Sequence, residues 1–211
     1  MMFVPKEYHP LDPAWITDLI TGNPLAILAT SVPGACAAAT HVPTIPEGEP
    51  DRAGRVGSSI IGHMNRLNPH WARIQHGGPA LLIFHGPNSY VSPTVYQVSP
   101  AAPTWNFTAV HIQGSLSVIR DREETLNVVK QTVAAYERSH GTGWDMSSSL
   151  DYFRQLLPGV GAFRLVVEGV DSMFKLSQEQ PPEAWQRAVD AFAAAQCTQQ
   201  RCLAELMRRA R

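Results

Sequence analysis

Residues 106–119 read NFTAVHIQGSLSVI. Val110, Ile112, Leu116 and Val118 alternate with His111, Gln113, Ser115 and Ser117, the period-two pattern of a half-buried β-strand. Gly114 interrupts the alternation and predicts a bulge or bend in one long strand or a strand pair. The flanking sequence supplies strand partners. LAILATS (25–31) and CAAATHVP (36–43) read as two strands around the turn Val32-Pro33-Gly34. VGSSIIGHM (56–64), PALLIFHGP (79–87) and VGAFRLVVEGVDSM (160–173) read as three more. Helices are predicted at DPAWITDLITGNP (12–24), NPHWARIQHGG (68–78), DREETLNVVKQTVAAYERSHG (121–141), SSSLDYFRQLLPG (147–159) and from Pro182 onward. The first has Asp12 as its cap and Gly22 as its stop; the third carries acidic residues in its first turn. EGEPDRAGR (47–55) reads as a charged loop and NSYVSPTVYQVSPAAPTW (88–105) as a long loop. Six or seven short strands with helices at the edges favour a small antiparallel barrel, α+β and mainly β. The barrel domain is expected over residues 1–180, with a helical extension over 181–211.

Bulk properties narrow the function. The chain has 211 residues, is 44% hydrophobic and carries a net charge of −1, so no basic surplus points to nucleic acid or a membrane surface. The basic LMRRAR (206–211) is one short helix end. No segment approaches the roughly eighteen apolar residues of a membrane span, and MMFVPKEYHP (1–10) has no apolar signal core. Three cysteines, Cys36, Cys197 and Cys202, lack paired spacing, which fits reduced thiols in a cytoplasmic protein. No dinucleotide fingerprint, phosphate loop, nucleophile elbow or metalloprotease helix is present.

The unusual stretch is GHMNRLNPHW (62–71), where two histidines, an arginine, two asparagines and a tryptophan follow a buried strand. Separated ligands argue against a structural zinc site. Haem needs only one protein ligand, apolar walls and a cation for its propionates. His63 supplies such a ligand, Arg66 a forked cation, and Met64 and Trp71 candidate walls. His70 and His85 are rival ligands. His41, His63, His85 and His111 all fall on or beside strands, so at least one is expected to face a ligand. APTWNF (102–107) places Trp105 and Asn106 where an indole and an amide can meet a flat ring or simply pack at a strand entry. FKLSQEQ (174–180) places Lys175, Ser177 and Gln178 after the last strand, where the lysine either snorkels or binds an anion.

MFVPKEY (2–8), ATHVP (39–43), GHMNRLNPHW, FHGPNSYVSP (84–93), PTWNFTAVHIQG (103–114) and FKLSQEQ, in this order, resemble the PaiB family. Its members are usually labelled FMN-binding negative transcriptional regulators. The resemblance covers about residues 2–180. It implies a flavin-reductase-like split β-barrel with peripheral helices, and a homodimer with its cofactor site near the subunit interface. SPTVYQVSPAAPTWNF (92–107), GWDMSSSLDYFRQLLPGVGAFRL (143–165) and MFKLSQEQ (173–180), with GHMNRLNPHW, are similar to the KtzT-type piperazate synthases. That branch binds haem b and closes L-N5-hydroxyornithine into L-piperazate. Flavin-type relatives carry an SPSWYPSK-like stretch. Residues 92–97, SPTVYQ, lack its tryptophan and lysine, which removes a ring platform and a phosphate-binding cation. The resemblance implies His63 on iron, with Lys175, His85, Tyr90 and Thr104 as candidates for proton handling and substrate binding. An FMN-binding oxidoreductase and a PaiB-like regulatory protein are the alternatives.

Overall fold

The computed structural model describes residues 2–31, 34, 36–48 and 57–210. Val32 and Pro33 of the predicted turn, and residues 49–55 of the charged loop, lie outside the described residues. Six strands, β1 (Leu25–Thr30), β2 (Ala38–Pro46), β3 (Ser59–Asn65), β4 (Gly78–Val91), β5 (Thr104–Ile119) and β6 (Val160–Lys175), close into a barrel in the order β1-β2-β3-β6-β5-β4. Every pairing is antiparallel.

The strands are not all short: β4 has 14 residues, and β5 and β6 have 16 each. Closure explains the length, because tilted strands in a barrel change partners along their course. β6 pairs with β3 over its first half and with β5 from Ala162 to Lys175. The predicted irregularity at Gly114 is present. Gln113 opposes Gly169 and Gly114 opposes Val167, leaving Glu168 as the extra residue of a bulge. A Cβ on Gly114 would fall 2.0 Å from the Val166 carbonyl oxygen, so the close approach requires glycine.

Residues 88–105 depart from the predicted loop. Asn88–Val91 continue β4 beyond an irregularity at Gly86-Pro87. Pro93–Tyr96 form the short helix α3, with Ser92 accepting the Thr94 N–H as its cap. Thr104 and Trp105 already belong to β5.

The remaining helices are α1 (Ala14–Gly22), α2 (Pro69–Arg73), α4 (Arg122–Ser139), α5 (Leu150–Leu156), α6 (Pro182–Ala193) and α7 (Thr198–Arg209). Asn68 caps α2 by accepting the His70 N–H, and Asp121 caps α4 by accepting the Glu124 N–H. Inward side chains of the barrel, among them Leu28, Ile60, Phe84, Val110 and Phe163, share one core with Trp185, Val189 and Phe192 of α6 and Leu203 and Met207 of α7. The tail beyond residue 181 is therefore continuous with the barrel's core. On the outer face, Ile61, Ile119 and Ala162 pack beneath Val128 of α4. Arg164 ties that helix down, reaching Glu47 at 2.6 Å and Glu124 at 3.1 Å.

Candidate cofactor site

Strand alternation decides what His63 faces. On β3, Ile60 and Met64 point into the barrel core, whereas Ile61 packs on the outer face beneath α4. His63 therefore projects outward, opposite Met64, and the two cannot wall the same ligand. Gly62 also points inward. A Cβ there would lie 2.7 Å from both Phe163 Cζ and the Pro43 carbonyl oxygen, so core packing, not ligand approach, requires this glycine.

The His63 imidazole is mostly buried, and its Nδ1 is buried without a hydrogen-bond partner. Burial holds its pKa below the ordinary value of 6.5, keeping the ring neutral with a lone pair available. His70 contrasts with it. Its Nε2 meets Thr30 Oγ1 at 2.7 Å and its Nδ1 meets Thr40 Oγ1 at 2.9 Å, so both ring nitrogens are engaged inside the fold. The threonines come from adjacent strands and lock α2 against β1 and β2. His85 and His41 are exposed on outer faces, and His111 is half-buried opposite Asp171. Burial lowers the His111 pKa, although Asp171 opposes the shift.

Arg66 follows β3. Its Nε donates to the Val160 carbonyl at 2.8 Å, and its guanidinium lies 5.7 Å from the centre of the Trp71 ring. Trp71 is buried against Gly161, where a Cβ would come within 2.6 Å of the indole. Arg66 and Trp71 thus share a cleft at the barrel end.

The other predicted residues gather elsewhere. Tyr90 and Trp105 are directly opposed on β4 and β5, with ring centroids 6.1 Å apart in an edge-on arrangement. Both are about half exposed. Lys175 opposes Phe107, donates from Nζ to Thr104 Oγ1, and lies 5.7 Å over the Tyr8 ring. Burial, reinforced by Glu179, pushes the Tyr8 pKa up to about 12. Asn106 is fully buried; its amide donates to Ser177 Oγ at 2.8 Å, and Ser177 Oγ meets the Tyr96 hydroxyl at 2.7 Å. Ser177 adopts a left-handed φ of 61° to reach this position. The sequence stretches around residues 96, 106 and 177 are therefore joined by one internal network. Asn106 is committed to it and does not face an outer-surface ligand.

Within one chain, His63 stands far from the Lys175–Thr104 pair. His63 opposes Ala162, and Lys175 lies thirteen residues further along β6, on the order of 40 Å of strand at about 3.3 Å per residue. Sequence reasoning missed two arginines beside Arg66: Arg120 and Arg122 line the same cavity. Their signal was two cations spaced by one residue at the end of a strand. Among the described residues no cluster of three or more His, Cys, Asp or Glu side chains could hold a metal ion, and no helix is long and apolar enough to cross a membrane.

The six-stranded antiparallel barrel with its helical flanks is the split β-barrel architecture found among flavin- and haem-binding proteins. Two solved structures share the fold. One is the FAD and heme binding protein from Mycobacterium smegmatis, with a TM-score of 0.55 at 16% identity, covering 76% of this chain and 70% of that one. The other is a conserved hypothetical protein from Mycobacterium tuberculosis, with a TM-score of 0.58 at 12% identity, covering 85% and 94%. The chain belongs to the family described as "Putative FMN-binding domain", whose model matches residues 2–169. It is also 26% identical over 208 residues to the protease synthase and sporulation protein PAI 2 of Bacillus subtilis, covering 98% of this chain and 96% of that protein.

Proposed function

We propose that the protein is a haem b enzyme, with His63 as the single protein ligand, that converts L-N5-hydroxyornithine to L-piperazate with loss of water. The observation that carries this reading is the His63 imidazole, neutral, outward-facing and unpartnered at a buried nitrogen. Neutral imidazole is the form that ligates iron. The sequence likeness to piperazate synthases supports the substrate, and the haem named for the mycobacterial neighbour agrees with the cofactor.

The reaction breaks one N–O bond, forms one N–N bond and is redox-neutral overall. When bound, haem iron supplies Lewis acidity at the hydroxylamine nitrogen. The chain's own residues have three tasks. They remove a proton from the α-amine, deliver one to the departing oxygen, and hold the flexible substrate in a ring-forming conformation. Lys175, Tyr90 and His85 lie on the outer face of β6 and β4, and Thr104, opposite the buried Val91 at the start of β5, is reached by Lys175 Nζ; these are the groups assigned to these tasks. Because they lie far from His63 in one chain, the reading includes a homodimer in which a second copy brings them to the cofactor. Exposed apolar side chains on outer strand faces, such as Leu25 and Val166, support such an interface.

The spectrum of the purified protein tests the cofactor, and mass spectrometry of its reaction with L-N5-hydroxyornithine tests the chemistry. A Soret band and a product lighter by one water are expected. Light scattering should give twice the chain mass. A second reading, an FMN-binding oxidoreductase, is supported by the family match over residues 2–169. A flavin spectrum with no haem uptake would replace the first reading by the second.

A further inference from the structure

Arg66, Arg120 and Arg122 converge where β3 leaves the barrel, β5 ends and α4 begins. Each guanidinium is steadied by one neutral backbone acceptor. Arg66 donates to the Val160 carbonyl at 2.8 Å, Arg120 to that of Gln75 at 2.8 Å and Arg122 to that of Arg154 at 3.0 Å. That leaves most of the five N–H donors of each group available. All three line a cavity of about 190 Å³ with Thr125, Leu157 and Pro158. Arg66 and Arg120 also line an adjoining cavity of about 170 Å³.

Among the described residues, none of the three arginines forms an ion pair with a carboxylate. Arg164, on the same side of the barrel, shows the usual arrangement: its guanidinium meets both Glu47 and Glu124. Asp121 sits between Arg120 and Arg122 in sequence, but its carboxylate accepts the Glu124 N–H at 2.8 Å. Three like charges gathered without a counter-ion repel one another, and a bound anion turns that repulsion into attraction. The cavity is smaller than the roughly 300–1,000 Å³ that encloses a whole cofactor. It suits a terminal group.

We propose that Arg66, Arg120 and Arg122 form an oxyanion site for a phosphate group or a pair of carboxylates. Two sources carry this chemistry: the anionic edge of the cofactor, or a free phosphate-bearing small molecule. The first rests on the cofactor reading above; the site itself does not.

The test is thermal denaturation of the full chain with inorganic phosphate and pyrophosphate at constant ionic strength. Wild type and the control R208Q should show a saturable rise in Tm. R120Q/R122Q and the milder R122Q should weaken the apparent affinity by at least tenfold and about threefold, with unchanged circular dichroism. Equal responses in wild type and folded variants, or no response in wild type, would overturn the site. Haem b against its dimethyl ester, and FMN against riboflavin, then identify the source. A tenfold preference for the charged form that R120Q/R122Q abolishes assigns the site to the cofactor's edge. Absence of that preference alongside a retained pyrophosphate response assigns it to a free ligand. If wild type binds no cofactor yet responds to pyrophosphate, the cofactor reading fails and the oxyanion site stands.

Discussion

Replacing His63 by leucine should make the cofactor-free protein more stable while abolishing haem binding. The side chains are similar in size, and His63 Nδ1 is buried with no hydrogen-bond partner. An unsatisfied buried polar group costs about 1–3 kcal/mol, and the partial exposure of the ring favours the lower end. A gain of about 1 kcal/mol corresponds to a rise of about 2–4 °C in Tm for a chain of this size. The pH dependence has a definite sign. The folded-state pKa of His63 lies below 6.5, so on acidification the unfolded chain takes up the proton first. Stability from this group is fully present above about pH 6.5 and falls as the pH drops from there towards the folded-state pKa. His63→Leu should flatten part of that decline; His70 and His111, also lowered by burial, retain theirs. The assay is calorimetry of apoprotein at several pH values, paired with haem titration followed at the Soret band. A variant that melts several degrees lower, or that binds haem with an unchanged spectrum, would refute the reasoning.

Further outcomes follow from packing. Gly62→Ala drives a Cβ into Phe163, the Pro43 carbonyl and Thr44, and overpacking of this kind should cost about 1–3 kcal/mol by urea denaturation. Asn106→Ala removes the amide that bonds Ser177 Oγ in the core while leaving the Ser177–Tyr96 bond in place, and should cost about 1–3 kcal/mol, with no change if the network is unimportant. Truncation after Gln180 strips Trp185, Val189, Phe192, Leu203 and Met207 from the common core. At about 1.5–3 kcal/mol each, the loss rivals the whole stability of a domain, so the truncated chain should fail to give a cooperative melt. Lys175→Met keeps the apolar stem and removes the charge; KM for the hydroxylamine substrate should rise, whereas unchanged kinetics would limit Lys175 to its contacts with Thr104 and Tyr8.

The sequence by itself determined the local elements and the fold class. Alternation over 106–119, the helix started at Asn68, the acidic first turn of α4 and the bulge at Gly114 were legible because each depends on neighbours in the chain. The extra length of β4, β5 and β6 was not, because it reflects closure around a barrel, a condition set by distant strands. The stretch GHMNRLNPHW pointed to a cofactor residue by composition, but only tertiary structure separated its histidines. Thr30 and Thr40, thirty or more positions away, engage His70 and leave His63 free. Tertiary structure likewise turned Asn106 into part of a core hydrogen-bond network, and drew Arg66, just past β3, to Arg120 and Arg122 at the junction of β5 and α4. Periodicity reports which face a residue occupies relative to its neighbours; which partners wait on that face is decided by strands and helices far away in the chain.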